Sequence, residues 1–314
     1  MERRVLAIVG PTASGKTKLA IEIAQYLDTE IISADSRQIY RELTIGAAKP
    51  SSDELRKIKH HFINNVSLIE KYDVGKFVKE AKEIINHLHS KDKIPVIVGG
   101  SGLYINSLLY GIFEGPSADE EIRIQLEKEL QEEGIESLLK KLKDIDPETY
   151  DKIDKKNPRR IIRALEVYYL TGQPISQLQK DKHHKPDFDN LIFGLQWDRK
   201  KLYERINQRV DEMIKAGLVD EVKEIVNKFG EDVNVVLQTV GYREVIDYLK
   251  GKTTYNEMIE LIKRNTRRYA KRQLTWFRKD KNIQWMEIQS EEDLNKIARQ
   301  IINQIKEGKN ERQN

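Results

Sequence analysis

Gly10-Pro11-Thr12-Ala13-Ser14-Gly15-Lys16-Thr17 follows the apolar run Val5 to Val9 and leads into the helical pattern Leu19, Ile21, Ile23, Ala24, Leu27. This is G-x-x-x-x-G-K-[ST] in the setting, strand before and helix after, that makes it a phosphate cradle. Its glycines let backbone N–H groups turn inward, the helix starting near Lys16 adds the positive end of its dipole, and Lys16 reaches the terminal phosphates. The Thr17 hydroxyl suits Mg²⁺. The ligand is expected to carry a diphosphate or triphosphate, as a nucleotide such as ATP does. The loop by itself leaves open which group is transferred.

In loop proteins of this type an acid usually ends a second buried strand and helps to hold the metal. Here Ile94-Pro95-Val96-Ile97-Val98 runs into Gly99-Gly100-Ser101-Gly102 with no carboxylate. The acid at a strand end is Asp35, which closes Glu30-Ile31-Ile32-Ser33-Ala34 and precedes Ser36-Arg37-Gln38. Three readings fit it: a metal-side ligand as in a kinase, a base that takes a proton from an incoming nucleophile, or a strand-end cap.

The chain has 314 residues, enough for a large core and for two domains. Its 39% hydrophobic and 34% charged residues describe a soluble globular protein, and no apolar run approaches the ~20 residues of a membrane span. No secretory leader is recognisable ahead of Val5, and the absence of cysteine removes disulfides and thiolate chemistry. A cytoplasmic location without membrane attachment is the expectation. From Ala118 to Pro186 strand signals vanish, and Ile122, Leu126, Leu130, then Ile135, Leu138, Leu139, Leu142, then Ile161, Ile162, Leu165, Val167 read as short amphipathic helices. Strand patterns return at 191–197 and 283–288, and 306–314 reads as a loose polar tail. The expected fold class is therefore α/β: a P-loop nucleoside-triphosphatase-like parallel sheet core flanked by helices (1–117 and 187–314), with an inserted all-helical domain (118–186).

Net charge is only +4, so its distribution matters more than its sum. Lys263, Arg264, Arg267, Arg268, Lys271, Arg272, Arg278, Lys279 and Lys281 stand against the single acid Asp280. Arg264, Arg268 and Arg272 recur every four residues and so share one face of a helix opened by the capping box Thr254-x-x-Glu257. A one-sided face of this kind reads as a phosphate-backbone footprint rather than a mixed solvated surface.

Seven blocks carry a family resemblance: Gly10 to Thr17; Asp35-Ser36-Arg37-Gln38-Ile39-Tyr40; Ile45-Gly46-Ala47-Ala48-Lys49-Pro50; Gly99-Gly100-Ser101-Gly102-Leu103-Tyr104; Arg159 to Val167; Val240-Gly241-Tyr242-Arg243-Glu244; and Ala270 to Arg278. In order and spacing they resemble the bacterial tRNA dimethylallyltransferases, the tRNA isopentenyltransferase or IPP transferase family, from about Val5 to Arg278. The resemblance implies transfer of the dimethylallyl group from dimethylallyl diphosphate to the N6 amine of the adenine immediately 3′ of the anticodon. It makes Asp35 the base and Thr12, Lys16 and Arg209 the groups that act on the leaving diphosphate. Gly10, Pro11, Thr12, Ala13, Ser14, Gly15, Lys16, Thr17 and Arg209 would bind that diphosphate, with Mg²⁺ at Thr17. Arg205 shares a helix face with Arg209, and Arg209 is the preferred cation of the two.

The same resemblance assigns the anticodon stem-loop of tRNA to Asp35, Ser36, Arg37, Gln38, Ser101, Arg123, Arg159, Arg160, Ile161, Ile162, Arg163, Gln238, Gly241, Tyr242, Arg243, Arg268 and Arg272. An adenine must leave the stacked arm before it can be alkylated. The aromatics Tyr242, Trp276 and Phe277 stack on bases or, as is commoner at helical spacing, fill the core. A monomer is expected. The competing functions are an adenylate isopentenyltransferase acting on free AMP or ATP, a small-molecule P-loop kinase, and an RNA-binding module with a degenerate loop. The basic helix and the arginines at 159–163 speak against the first two, and the complete loop against the third.

Overall fold

The computed structural model describes residues 3–111, 115–181, 186–231 and 233–310. The chain divides into two compact units, residues 1–109 with 187–314, and residues 110–186. In chain order the first unit runs β1 (Arg4–Val9), α1 (Lys16–Tyr26), β2 (Ile31–Ser33), α2 (Ser52–Lys57), β3 (His60–His61), α3 (Val74–His89), β4 (Val96–Gly99) and α4 (Gly102–Tyr110). Between them and the rest come α5 (Glu120–Glu133), α6 (Ile135–Ile145), α7 (Pro147–Lys152), α8 (Pro158–Thr171) and α9 (Ile175–Asp181). The first unit resumes with β5 (Asp189–Trp197), α10 (Arg199–Lys215), α11 (Leu218–Phe229), α12 (Asn234–Leu237), α13 (Tyr242–Leu249), α14 (Tyr255–Phe277), β6 (Ile283–Ile288) and α15 (Glu292–Asn310).

Among the described residues six strands form one parallel sheet, in the order β3-β2-β4-β1-β5-β6. Leu6 of β1 lies opposite both Val96 of β4 and Leu191 of β5. A strand so placed is covered on both faces, which is why Val5 to Val9 is an unbroken apolar run, and every one of those residues is buried. The chain leaves β1 for β2 and later returns to lay β4 between them. The loops after β1, β2 and β4 therefore part at the carboxyl edge, where a parallel sheet opens its crevice.

Leu19, Ala20, Ile23 and Ala24 of α1 share a buried cluster with Leu294, Ile297, Ala298, Ile301 and Ile305 of α15. Ile301, Ile302 and Ile305 bury one face of α15. The helix runs on to Asn310, so the stretch expected as a loose polar tail from 306 is helical as far as 310, with Lys306 and Glu307 exposed, while 311–314 lie outside the described residues. The Thr254–Glu257 capping box opens α14 as its sequence requires.

The unit at 110–186 has no strand among its described residues, and Leu126, Leu138, Leu139, Leu142, Ile161, Ile162 and Leu165 form its core. Glu166 is completely buried in it. Its carboxylate accepts from Arg123 Nε (2.7 Å), Arg163 Nη1 (2.6 Å) and the Asp119 amide (2.9 Å). Burial alone would raise the Glu166 carboxyl, but these bonds outweigh it and hold it below the usual carboxylate range.

Glu166→Gln keeps the shape but strips two arginines of their counter-ion. It is expected to destabilise the helical unit by about 2 kcal/mol, the low side for a broken buried pair because both arginines keep access to water. Because the folded carboxyl titrates below its unfolded value of about 4.5, its contribution is complete above that pH and is lost as pH falls through the folded value. Urea unfolding of the full chain, followed by circular dichroism at pH 7 and pH 4, measures both effects. An unchanged midpoint in Glu166→Gln would show that the two arginines do not depend on it.

Candidate functional site

The phosphate loop joins β1 to α1 at the carboxyl edge of the sheet, and α1 opens at Lys16 directly after Gly15, whose φ is +90°. Its carbonyls are taken from outside: Ala13 O accepts from Arg205 Nε (2.9 Å) and Ser14 O from Trp197 Nε1 (3.0 Å). Among the described residues the amides of Ala13, Ser14, Gly15 and Lys16 have no acceptor. Ser14 Oγ is buried with no hydrogen-bond partner. Unsatisfied donors collected at a helix N-terminus are what an anion would satisfy.

A cavity of about 340 Å³ opens against this loop, lined by Thr12, Lys16 and Thr17 on one side and by Asp35 and Ser36 to Gln38 on another. Lys16 Nζ donates to Pro11 O at 2.6 Å. Burial first, and the positive charge of Arg209 second, push the Lys16 ammonium down to about 7, with Asp35 opposing. Arg209 of α10 lines the cavity too, and burial followed by the neighbouring Arg205 lowers it as well. The two arginines one turn apart take different places. Arg209 enters the cavity, whereas Arg205 braces the back of the loop, bonds Glu291 at 2.7 Å and lies 4.4 Å from the Trp197 ring.

Asp35 follows β2, and its Oδ1 accepts the amides of Arg37 (2.8 Å) and Gln38 (3.3 Å), the local turn expected of an aspartate at a strand end. Oδ2 makes no hydrogen bond within the described residues. The Ser36 amide donates to Ser101 Oγ at 3.0 Å, so the Gly99–Gly102 loop fixes this turn. The Gln38 amide is oriented by Ser33 Oγ on one side and by the carbonyls of Ala47 and Ala48 on the other. Tyr269 of α14 also faces the cavity; burial, and then the charge of Asp35, push its phenol up to about 12.

Gln238, Thr239, Val240, Gly241 and Arg272 complete the wall with Val210, Met213 and Ile262. Tyr242 does not belong to it. Its ring is fully buried against Gly46, where a Cβ would stand 2.4 Å away, and its hydroxyl donates to Glu221 at 2.6 Å. Phe277 is buried as well, so both aromatics fill the core and neither is available to a base. Trp276 is half-buried against Gly102. Arg243 pairs with Glu244, and Arg264, Arg268, Lys271 and Arg272 are exposed on α14, while Lys263 is taken by Asp211 and Arg267 by Asn207.

In the helical unit Arg159 and Arg160 are exposed at the start of α8 and Arg123 and Arg163 hold Glu166. Ile161 and Ile162 are buried in that unit's core, so their side chains pack and do not face a ligand, contrary to the expectation for them. The sequence reading missed Glu221, which caps the Ile45–Gly46 turn through two amides, and Gln273, which bonds the Thr12 amide at 2.9 Å. Gln273 carried one signal, an uncharged amide next to Lys271 and Arg272, whereas Glu221, among Asp220 and Glu224, carried none.

A bound diphosphate favours the Lys16 ammonium, so binding raises a group that sits near 7 without it and takes up a proton. Inorganic pyrophosphate should therefore bind more weakly as pH rises from 7 to 9, by up to about tenfold per unit beyond the ligand's own titration. Lys16→Arg carries a fixed charge and should lose that component. Titration calorimetry of both proteins across this range makes the comparison, and identical slopes would exclude Lys16 as the proton acceptor.

Residues 38–280 match the family model for IPP transferase. The chain is 49% identical over 284 residues to the tRNA dimethylallyltransferase of Acetivibrio thermocellus, covering 90% of this chain and 91% of that one. It is 47% identical over 287 residues to that of Christiangramia forsetii, covering 91% and 94%. Among solved structures it resembles the full-length tRNA isopentenylpyrophosphate transferase of Bacillus halodurans, with TM-score 0.72, 38% identity and 100% of both chains covered. It also resembles a eukaryotic dimethylallyltransferase acting on tRNA, with TM-score 0.78, 27% identity, and 91% of this chain and 74% of that one covered. Similarity of this extent reaches far beyond a phosphate loop that many unrelated proteins share, and the chain belongs to the IPP transferase family.

Proposed function

We propose that this protein transfers the dimethylallyl group of dimethylallyl diphosphate to the N6 amine of the adenine immediately 3′ of the anticodon in tRNA, releasing diphosphate. The observation that carries this reading is the single cavity in which Lys16, Thr17 and Arg209 face the same space as Asp35. The first three suit a diphosphate that leaves, and the fourth suits a proton that must go somewhere. As the bond from N6 to the allylic carbon forms, the bond from that carbon to the diphosphate oxygen breaks, and its electron pair departs with the diphosphate. The N6 proton passes to Asp35 Oδ2. Charge growing on the leaving oxygen meets Lys16, Arg209, the Thr12 hydroxyl and the inward amides, which are in place before the reaction starts.

Mg²⁺ fits this donor set. Thr17 offers a hard hydroxyl oxygen, and no group of three or more His, Cys, Asp or Glu among the described residues could hold a metal alone, so the ion would depend on diphosphate oxygens and water. Bound there, it supplies further positive charge to the leaving group. The apolar stretch Val210, Met213, Val240 and Ile262 gives the five-carbon chain a dry wall.

The relatives named for tRNA, one of them a structure of a dimethylallyltransferase acting on tRNA, support tRNA as the acceptor. Exposed Arg264, Arg268, Lys271 and Arg272 form a one-sided positive face suited to the phosphates of an anticodon stem-loop. Arg159 and Arg160 add exposed charge on the helical unit. Ser36, Arg37, Gln38, Ser101, Gln238, Gly241 and Arg243 would meet the extruded base and its neighbours. One chain holds both the cradle and the proton acceptor, so a monomer suffices, and tRNA as substrate suits a cytoplasmic location. No described helix is long and apolar enough to cross a membrane.

Labelled dimethylallyl diphosphate offered with unmodified tRNA, AMP or ATP should label tRNA only; labelling of AMP instead would overturn the acceptor. Asp35→Asn should lower turnover on the order of 10²-fold or more while both substrates still bind, since it removes the base and keeps the turn. Near-normal turnover in that variant would exclude Asp35 as the proton acceptor. Stem-loop affinity should fall with salt, and Arg268→Ala and Arg272→Ala should each flatten the log–log slope by about one unit. Slopes equal to the parent would remove α14 from the interface.

A further inference from the structure

Gln273 lies near the C-terminal end of the basic α14, next to Lys271 and Arg272, yet it is 6% exposed and lines the cavity. Its side-chain amide is used at both ends. Oε1 accepts the Thr12 amide at 2.9 Å, and Nε2 donates to Gly100 O at 3.0 Å. Gly100 is pressed so closely that a Cβ there would stand 2.2 Å from Gln273 Nε2. The next residue, Ser101, accepts the Ser36 amide at 3.0 Å, beside Asp35. A continuous chain of contacts therefore runs from Thr12, on the leaving-group side, through Gln273 and the Gly100–Ser101 segment to the turn that carries Asp35.

We propose that Gln273 is a positioning residue for the transfer: one buried amide sets the spacing between the phosphate loop at Thr12 and the Asp35 turn, and so between the diphosphate and the proton acceptor. This rests on the prenyl-transfer reading. A reaction in which one bond forms as another breaks needs both ends held at once, and a displacement of an ångström at either end is enough to cost about 10²-fold. An amide is the side chain that serves here, because the site needs one acceptor and one donor on the same planar group. A carboxylate would keep the acceptor for Thr12 and turn a second oxygen against Gly100 O, whereas a carboxylic acid would satisfy both.

That difference supplies the test. In the full-length protein, Gln273→Glu, Gln273→Leu and Gly100→Ala are compared with the parent between pH 5.5 and 8.5, with melting temperatures to confirm folding. The readouts are kcat and KM for transfer from dimethylallyl diphosphate to tRNA, and equilibrium binding of inorganic pyrophosphate. At pH 8, Gln273→Glu should lose on the order of 10²-fold in kcat with KM for tRNA within about twofold. Relative to the parent at each pH, it should recover as the pH falls, because burial and the facing carbonyl raise the new carboxyl and protonation restores the donor. Gln273→Leu and Gly100→Ala should be impaired at every pH.

A Gln273→Glu deficit that does not change with pH, or one confined to KM for tRNA, would overturn the proposal, as would a folded Gln273→Leu with parental kcat. The pyrophosphate arm separates this failure from that of the underlying reading. If the parent does not modify tRNA, prenyl transfer is wrong, and weaker pyrophosphate binding by Gln273→Glu that recovers at low pH still supports the positioning of the loop. Unchanged pyrophosphate binding in that case refutes it.

Discussion

A loop that turns its amides toward an anion must turn its carbonyls the other way, and inside a protein each of those carbonyls needs a donor. This constraint organises the first unit. Ala13 O is met by Arg205 of α10, Ser14 O by Trp197 at the end of β5, and Pro11 O by Lys16. The Thr12 amide, turned outward in its place, is met by Gln273 of α14. Gly15 packs on Leu294 of α15, where a Cβ would stand 2.8 Å away. A cradle encoded within the first seventeen residues is therefore braced by Trp197, Arg205, Gln273 and Leu294, far along the chain.

The electrostatics of the cavity follow from the same economy. Burial and the charge of Arg209 disfavour the Lys16 ammonium, which Asp35 only partly offsets, and burial and Arg205 disfavour Arg209 in turn. The two buried cations are only partly offset by nearby carboxylates, which leaves a positive potential suited to an anion. The carboxylate in the same space is held by one oxygen through two backbone amides, so its orientation does not depend on the ligand. Positive and negative charge come from separate elements: the cations from α1 and α10, the anion from the turn after β2.

In the helical unit, buried Glu166 gathers Arg123 and Arg163 and the start of α5 at Asp119. Two arginines assigned to a nucleic acid by resemblance thus have an internal partner in Glu166, and Arg159 and Arg160, one turn before Arg163 on α8, lie exposed at the surface. The same division runs along α14. Lys263 and Arg267 turn to Asp211 and Asn207 of α10, leaving Arg264, Arg268, Lys271 and Arg272 to solvent. A run of positive residues on a helix is partly structural, and only packing separates the two roles.

The sequence by itself determined whatever is written within a few turns of chain: the loop at residues 10–17 and its helix, the buried parallel strands, the turn at Asp35, the helical character of the described residues between 118 and 181, and the capped basic helix. Torsional preference and apolar periodicity carry such information because the interacting groups are neighbours along the chain. Only the tertiary structure decided that Arg209 and not Arg205 enters the cavity, that Tyr242 fills the space above Gly46, that Ile161 and Ile162 are core, and that Gln273 reaches the loop. Arg205 and Gln273 meet the loop across 192 and 261 residues. Pairings at such separation have no period and no local propensity to reveal them. They exist because the sheet brings the carboxyl ends of β1, β2, β4 and β5 to one edge, and every polar group buried there must find a partner.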